Sequence, residues 1–434
     1  MDKTKQGPKS MSRRDFIKKV GKGAAGAGVA TVMAPLLAKS ALASEAKRDY
    51  ILIGAIYPVT GPLAAFGAPG PWVADRAVKQ INAHGGIYLK EYGKKFPLKY
   101  KLLDSESSPT KAAELASKLV MKDKVDILMP AHTPDTVNPV SAIAERFKVP
   151  CICIDAPIED WLMGGPYHWS FLHFWSAQHD ITHVYMGMWD QLDTNKVVGG
   201  LWPNDPDGTS WAKFFAEQGP KRGYKIIDQG RFPFFMKDFG AQINAFKEAN
   251  VEIVTGVLIP PDFATVIRQF HQTGFKPKII TMGKAILFPS AVAALGSDLG
   301  EGLTMEIWWS PYHPFKSSLT GETARQFCNA WEKTTGRQWT PPIGYEHSGW
   351  ELIKDVLTRA GSLDKEMVRS AIAGTNLKTI VGPVKYNAQN YGRTPLVGGQ
   401  WTKGKKWKWV QNIVFDKGQE SIPLTGSLKP MNYL

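Results

Sequence analysis

The chain has 434 residues and a formal net charge of +14 at pH 7. This length is sufficient for two domains, each with its own hydrophobic core. The Lys and Arg residues are scattered along the chain, which argues against a nucleic-acid-binding surface. Three cysteines, an odd number, argue against a disulfide framework, and Cys151 and Cys153 are expected to be buried thiols.

Residues 1–43 have the pattern of an export signal. The stretch SRRDFIK, residues 12–18, resembles the twin-arginine motif S-R-R-x-F-[IL]-K. A mildly apolar, Gly- and Ala-rich stretch follows over 20–37, and Ala41 to Ala43 read as an A-x-A cleavage site. We expect passage through the twin-arginine translocase, cleavage near Ala43 and a periplasmic mature protein. Removing the nine Lys and Arg and the two Asp of this segment lowers the formal net charge from +14 to +7.

Strand and helix patterns alternate along the rest of the chain. The predicted strands are 50–57, 100–103, 125–129, 149–154, 197–202, 225–230, 253–258 and 278–282. The predicted helices are 70–83, 109–122, 137–147, 210–222, 238–250 and 263–273. Short apolar strands that alternate with helices indicate parallel sheets with helices on both faces. Two such series predict an α/β fold with two doubly wound parallel-sheet lobes.

The loops after the strands are the candidate binding segments. In open α/β sheets, ligands bind beyond the carboxyl ends of the strands, and two facing lobes would place the site in the crevice between them. The loops in question are 59–67, 131–136, 155–159, 202–207, 259–262 and 283–286.

Several of these segments resemble one known family. They read IGAIYPVTGPLAAFG at 53–67, QINAHGGI at 80–87, SAIAERFKVP at 141–150, WPNDPDG at 202–208 and VGPVKY at 381–386. Their order and spacing are similar to those of the branched-chain amino acid (Leu/Ile/Val) type of periplasmic substrate-binding protein. The resemblance implies a soluble receptor of an ABC importer that binds a small solute and delivers it to membrane permease subunits, without a cofactor and without catalysis.

The resemblance also implies a type I periplasmic-binding fold with a three-crossing hinge. By analogy, lobe 1 comprises residues 44–168 and 313–382, and lobe 2 comprises 169–312 and 383–434. The crossings are expected near 167–173, 310–314 and 382–388. Binding would proceed by hinge closure around the ligand, in a protein expected to be a monomer.

In amino-acid-binding members of the family, hydroxyl groups and backbone N–H groups after the third and fourth strands hold the ligand carboxylate. The matching positions here are His132 and Thr133, and then Asp155, Ala156 and Pro157. Thr133 can donate a hydrogen bond and a protonated His132 can add a charge-assisted one, whereas a proline nitrogen cannot donate. The alternative that Thr133 caps the following helix remains open.

The family's acidic clamp for the ligand ammonium falls on Trp175 and near Lys284, neither of which is a carboxylate. A buried ammonium without an opposite charge is costly. Asp155 and Asp207 are the candidate substitutes, and Lys284 would instead suit a ligand carboxylate.

Aromatic residues are expected to line the cleft. The resemblance places Phe66, Trp175 and Trp202 at cleft-facing positions, with Pro260 a further candidate after strand 253–258. Of the adjacent Trp308 and Trp309, at most one can face the cleft. An aromatic cleft with a few polar anchors suits a carboxylate-bearing aromatic or branched aliphatic compound. Binding of a branched-chain or other apolar amino acid is the alternative.

Two other classes remain as alternatives. Twin-arginine export makes a periplasmic cofactor enzyme conceivable, but no iron–sulfur cysteine spacing is present. The Gly21-x-Gly23-x-x-Gly26 spacing also lacks the preceding strand that a dinucleotide loop needs. His179 and His183 share helical spacing but lack a further ligand for a metal. The same fold as the sensor module of a signalling system is the second alternative.

Overall fold

A computed structural model describes residues 48–296 and 298–433. The predicted export signal and cleavage site lie outside the described residues. The described residues from Tyr50 onward form one compact unit. Among the described helices, none combines the length and apolarity that a membrane span requires.

The strands in chain order are β1 (Ile51–Tyr57), β2 (Ile87–Leu89), β3 (Lys94–Phe96), β4 (Leu98–Asp104), β5 (Ile127–Pro130), β6 (Cys151–Ile154), β7 (Ser170–Phe174), β8 (Val197–Leu201), β9 (Lys225–Asp228), β10 (Ile253–Val257), β11 (Ile279–Gly283), β12 (Thr304–Ile307), β13 (Asn376–Thr379), β14 (Gly382–Lys385), β15 (Tyr391–Arg393), β16 (Val397–Lys403) and β17 (Trp409–Phe415).

The helices are α1 (Ala64–Gly67), α2 (Gly70–Asn82), α3 (Pro109–Lys118), α4 (Pro134–Phe147), α5 (Ile158–Leu162), α6 (Thr182–Trp189), α7 (Pro206–Gln218), α8 (Gly240–Glu248), α9 (Pro260–Thr273), α10 (Pro289–Ala294), α11 (Ala324–Thr335), α12 (Pro342–Ala360) and α13 (Lys365–Ala373). Each of the predicted strands and helices overlaps one of these elements.

Two large sheets organise the chain. The first sheet has the order β15-β7-β6-β5-β1-β4 and is parallel throughout. The second has the order β17-β16-β12-β11-β10-β8-β9, in which the β12–β16 and β16–β17 pairs are antiparallel. The predicted α/β class with parallel sheets is therefore confirmed. We call the first sheet with its helices the first lobe, and the second sheet with its helices the second lobe.

The chain passes between the two sheets three times. It leaves the first sheet after β7, returns after β12 through helix α12, which packs against β6, and leaves again between β15 and β16. Strands β7 and β15 pair within the first sheet, although the expected boundaries assign their residues to lobe 2. The boundaries of the lobes themselves stay a prediction.

Three helices begin earlier than the apolar periodicity predicts. Helices α4, α7 and α9 begin at Pro134, Pro206 and Pro260, each of which occupies the first turn. Proline suits this position because the first helical N–H has no intrahelical partner and the φ angle is already helical. Because these helices begin early, their N-termini lie close to the ends of the preceding strands.

Candidate ligand-binding site

A partly open cavity lies between the two lobes, and its empty volume, which includes open solvent, is about 360 Å³. Most of its lining residues end or follow strands of the two sheets, as the general rule for α/β sheets predicts. They are Phe66, Thr133, Pro134, Asp155, Pro157, Phe174, Trp175, Asp207, Trp211, Val257, Lys284, Leu287, Glu306 and Trp308.

The first-lobe side of the cavity has an unusual backbone. His132, Thr133 and Asp155 have φ angles of 71°, 64° and 63°. The left-handed region is unfavourable for such residues, at a cost of roughly 1–3 kcal/mol each, and is enriched at binding sites. Thr133 precedes helix α4, but its side chain makes no capping hydrogen bond. Its buried Oγ1 has no hydrogen-bond partner among the described residues.

Behind this surface, His132 bridges two buried carboxyl groups. Its Nδ1 lies 2.6 Å from Oδ2 of Asp155, and its Nε2 lies 2.8 Å from Oε1 of Glu346. Burial lowers the pKa of His132 to about 3 and raises the pKa values of Asp155 and Glu346. An uncharged imidazole has one N–H and one lone pair, so one of the two hydrogen bonds requires a carboxylic acid proton. The three side chains therefore share protons, and we call them the histidine triad.

On the second-lobe side, Lys284 pairs with two aspartates. Its Nζ contacts Oδ2 of Asp207 and lies 3.2 Å from Oδ2 of Asp205. Burial alone would lower the pKa of Lys284, but the charges of Asp207, Asp205 and Asp135 raise it. Burial raises the pKa of Asp205 to about 6. Lys284 therefore stays charged inside the protein, and two carboxylates already compensate its charge.

Glu306 supplies a carboxyl group that the sequence reasoning missed. It lies on β12, lines the cavity, and accepts a hydrogen bond from the Tyr185 hydroxyl. Burial raises the pKa of Glu306 to about 7. Strand alternation places Glu306 on the same face as Trp308, which also lines the cavity. The adjacent Trp309 does not line the cavity and donates its indole N–H to the carbonyl of Ile380. If Trp308 is taken as the tryptophan that faces the cleft, strand alternation predicts that Glu306 faces it as well, so the sequence held a signal for this carboxyl group.

Aromatic rings form most of the apolar lining. Phe174 lies 4.5 Å from Trp175 and 5.3 Å from Trp308, centroid to centroid. Phe66 of the first lobe contacts Phe288 of the second at 4.7 Å. The indole N–H groups of Trp175, Trp211 and Trp308 are buried without a partner in the described part of the chain. The lining therefore combines apolar walls with unused hydrogen-bond donors.

The cavity brings together seven of the eleven predicted site residues: Phe66, Thr133, Asp155, Pro157, Trp175, Asp207 and Lys284. The other four do not line it. His132 turns both ring nitrogens to the carboxyl groups of the histidine triad, and Ala156 is buried. Pro260 begins α9. Trp202 is fully buried and packs parallel to Phe215 at 6.1 Å.

The family comparison agrees with this architecture. Residues 51–405 match the model of the periplasmic binding protein family. A curated relative, Leu/Ile/Val-binding protein homolog 7 of Brucella abortus, is 23% identical over 383 residues, which cover 84% of this chain and 92% of the relative.

Two solved structures show the same fold. A leucine binding protein from Thermotoga maritima superposes with a TM-score of 0.71 at 19% identity, covering 84% of this chain and 98% of that one. A solute binding protein of an ABC transporter from Rhodopseudomonas palustris, in complex with 3,4-dihydroxybenzoic acid, gives 0.67 at 20% identity, covering 84% and 96%.

Two lobes, three crossings and a cavity at the strand ends define a type I periplasmic-binding fold. The chain belongs to the periplasmic binding protein family, and the resemblance drawn from its sequence is confirmed.

Proposed function

We propose that this protein is the extracytoplasmic receptor of an ABC importer and that it captures a small carboxylate with an aromatic or branched aliphatic body. The observation that carries the proposal is the cavity between the lobes, with aromatic walls and unused donors. Pockets with apolar walls and a few convergent polar groups orient small ligands by those groups.

The donors suit a carboxylate. The hydroxyl of Thr133 and the indole N–H groups of Trp175, Trp211 and Trp308 have no partner among the described residues. Thr133 and Pro134 also lie at the N-terminus of α4, where the helix dipole favours negative charge. The similar structures include a leucine binding protein, which supports a branched aliphatic ligand, and a complex with 3,4-dihydroxybenzoic acid, which supports an aromatic one.

The receptor acts by binding alone and passes its unchanged ligand to membrane permease subunits. Its export through the twin-arginine translocase, cleavage near Ala43, periplasmic location and monomeric state belong to the same proposal. The signal pattern in residues 1–43 supports the export route.

Binding of a branched-chain or other apolar amino acid is the second candidate. Asp155, Asp207 and Glu306 all line the cavity, so carboxyl groups are present for a ligand ammonium. These carboxyl groups can take the place of the family's acidic clamp, whose matching positions hold Trp175 and Lys284.

A thermal-shift screen of the purified protein tests the proposal. The panel holds aromatic carboxylates, branched aliphatic carboxylates, apolar amino acids and sugars. A ligand at about 100 times its Kd adds about 2.7 kcal/mol to the free energy of unfolding, which gives a clear shift. We expect shifts with carboxylates and none with sugars. Stabilisation by sugars alone would refute the proposed ligand class.

A further inference from the structure

One side chain near the start of helix α12 contacts the segments of all three crossings. Tyr345 is fully buried, and its ring packs edge-to-face on Phe174, which ends β7, with the ring centroids 5.1 Å apart. The indole of Trp308, which follows β12, lies 5.2 Å from the same ring. The Tyr345 hydroxyl lies 2.7 Å from the hydroxyl of Thr394, between β15 and β16. We call these four residues the hinge cluster.

The hinge cluster also forms part of the cavity wall. The backbone N–H of Thr394 donates to the carbonyl of Phe174 at 3.0 Å, and the rings of Phe174 and Trp308 lie 5.3 Å apart. Phe174 and Trp308 line the cavity, whereas Tyr345 and Thr394 do not. Tyr345 is therefore placed to affect ligand binding through the crossings rather than by contact with the ligand.

The neighbours of Tyr345 on α12 fix the start of this helix to the first lobe. The Ser348 hydroxyl lies 2.8 Å from Nε2 of His173 in β7. Glu346 lies 2.8 Å from Nε2 of His132, in the loop after β5. A helix held at several points moves with its lobe as one body, so Tyr345 has a fixed position relative to the first sheet.

The two lobes touch across the cleft in the structure described here. The rings of Phe66 and Phe288 make this contact, and we call it the closed arrangement. When lobes rotate about a hinge, the changes in φ and ψ concentrate in a few residues of the connecting segments. Thr394 lies in such a segment and Tyr345 does not, so the distance between their hydroxyl groups depends on the hinge angle.

We propose that the hydrogen bond between Tyr345 and Thr394 favours the closed arrangement, which makes Tyr345 a positioning residue that sets the balance between open and closed lobes. The inference rests on the proposed function, because this balance matters for a receptor that captures its ligand between the lobes.

Single-molecule energy transfer between dyes on the two lobes tests the proposal. Thr110→Cys and Gln229→Cys provide exposed labelling sites after β4 and β9, the edge strands farthest from the crossings, and the native cysteines are buried. The ratio of closed to open molecules is measured in the ligand-free protein. Tyr345→Phe keeps the ring and removes the hydroxyl, so we expect this ratio to fall by about 2–10-fold, as for one hydrogen bond.

Tyr224→Phe is the matched control. Tyr224 is also buried, and its hydroxyl donates to Oδ1 of Asp190 at 2.6 Å, but it lies outside the hinge cluster. The control should leave the ratio of closed to open molecules unchanged. An unchanged ratio in Tyr345→Phe, an equal change in both variants, or a single distance between the lobes in every protein would overturn the proposal.

Thr394→Val removes the other hydroxyl and keeps the proposal testable if Tyr345→Phe fails to fold. It should lower the ratio by a similar factor. Because both variants remove the same hydrogen bond, the double variant should show no larger fall than either single variant. Independent effects that multiply in the double variant would contradict a role for this bond.

Addition of leucine or 4-hydroxybenzoate to the labelled parent protein tests the proposed function separately. A larger closed fraction with either compound would support the receptor. If neither compound has an effect while Tyr345→Phe still lowers the ratio, the proposed ligand class is contradicted and the role of Tyr345 stands. A response to a compound without any effect of Tyr345→Phe would overturn the role of Tyr345 alone.

Discussion

The two sides of the cavity handle buried charge in different ways. On the first-lobe side, the histidine triad can shift protons between an imidazole and two carboxyl groups, so its net charge can fall. On the second-lobe side, Lys284 stays charged and depends on Asp205 and Asp207. A buried carboxyl group can lose its charge by protonation, whereas a buried ion pair with a lysine leaves an uncompensated charge when one partner is removed.

The largest expected effect is the loss of Lys284. In Lys284→Met, Asp205 and Asp207 remain buried without a counter-charge, and we expect a loss of about 3–5 kcal/mol in the free energy of unfolding at pH 8. The loss should be smaller at pH 5, because burial raises the pKa of Asp205 to about 6 and its carboxyl group can protonate there. Urea denaturation at both pH values measures it.

Lys403→Met is the control for this variant. Lys403 pairs with Asp298 at 2.7 Å, but both side chains are more than half exposed. Exposed pairs contribute less than about 1 kcal/mol. Equal losses for the two lysines would contradict the importance of the buried pair.

Removal of the histidine should have a smaller effect. In His132→Leu, Asp155 and Glu346 lose their hydrogen bonds, and we expect a loss of about 2–3 kcal/mol at pH 8 and less at pH 5. Carboxyl groups with raised pKa values protonate readily on acidification, which limits the cost. Urea denaturation at pH 5 and pH 8 measures this loss.

His173→Leu is the matched control for the triad. His173 is equally buried and lies 2.8 Å from the Ser348 hydroxyl, and burial lowers its pKa to about 3. Because the pKa of His173 is lowered from 6.5 to about 3 in the folded protein, the unfolded chain takes up a proton first as pH falls, and the loss for His173→Leu should be about 2 kcal/mol smaller at pH 5 than at pH 8. A decrease for His132→Leu no larger than that for His173→Leu would refute proton sharing in the triad.

Glu306→Gln should stabilise the ligand-free protein at high pH. Because burial raises its pKa to about 7, Glu306 binds its proton more tightly in the folded state, and stability falls as pH rises from about 4.5 to 7. The variant lacks this penalty, so its advantage should be near zero at pH 4 and roughly 1–3 kcal/mol at pH 8. Thermal unfolding across this range measures it. A variant less stable than the parent at pH 8 would rule out the penalty.

The smallest effect concerns the indole donors. Trp175→Phe keeps an aromatic ring in the cavity but removes one N–H, so we expect ligand affinity to fall by about 2–10-fold, as for one hydrogen bond. Trp202→Phe makes the same change outside the lining and should leave the Kd unchanged. A larger effect at Trp202 would show that the cavity is not the binding site.

Much of the fold follows from local sequence. The alternation of short apolar strands with amphipathic helices is set by residues close together in the chain, and each predicted element appears in the structure. The loops after the strands could likewise be chosen in advance, because parallel strands end at one edge of a sheet. Seven of the predicted site residues line the cavity for this reason.

Tertiary packing decided which side chains line the cavity and which charges pair there. Asp205 and Lys284 are 79 positions apart, and only the pairing of strands in the second sheet brings them together. Trp202 and Trp211 are equally aromatic, yet the first packs in the core and the second lines the cavity. Glu306 lines the cavity because β12 joins the second sheet with the face that carries Glu306 toward the cleft. The sequence by itself determined the class of protein and the edge of the sheets at which the cavity lies, since both depend on local order; the charges at that edge depend on contacts between distant segments.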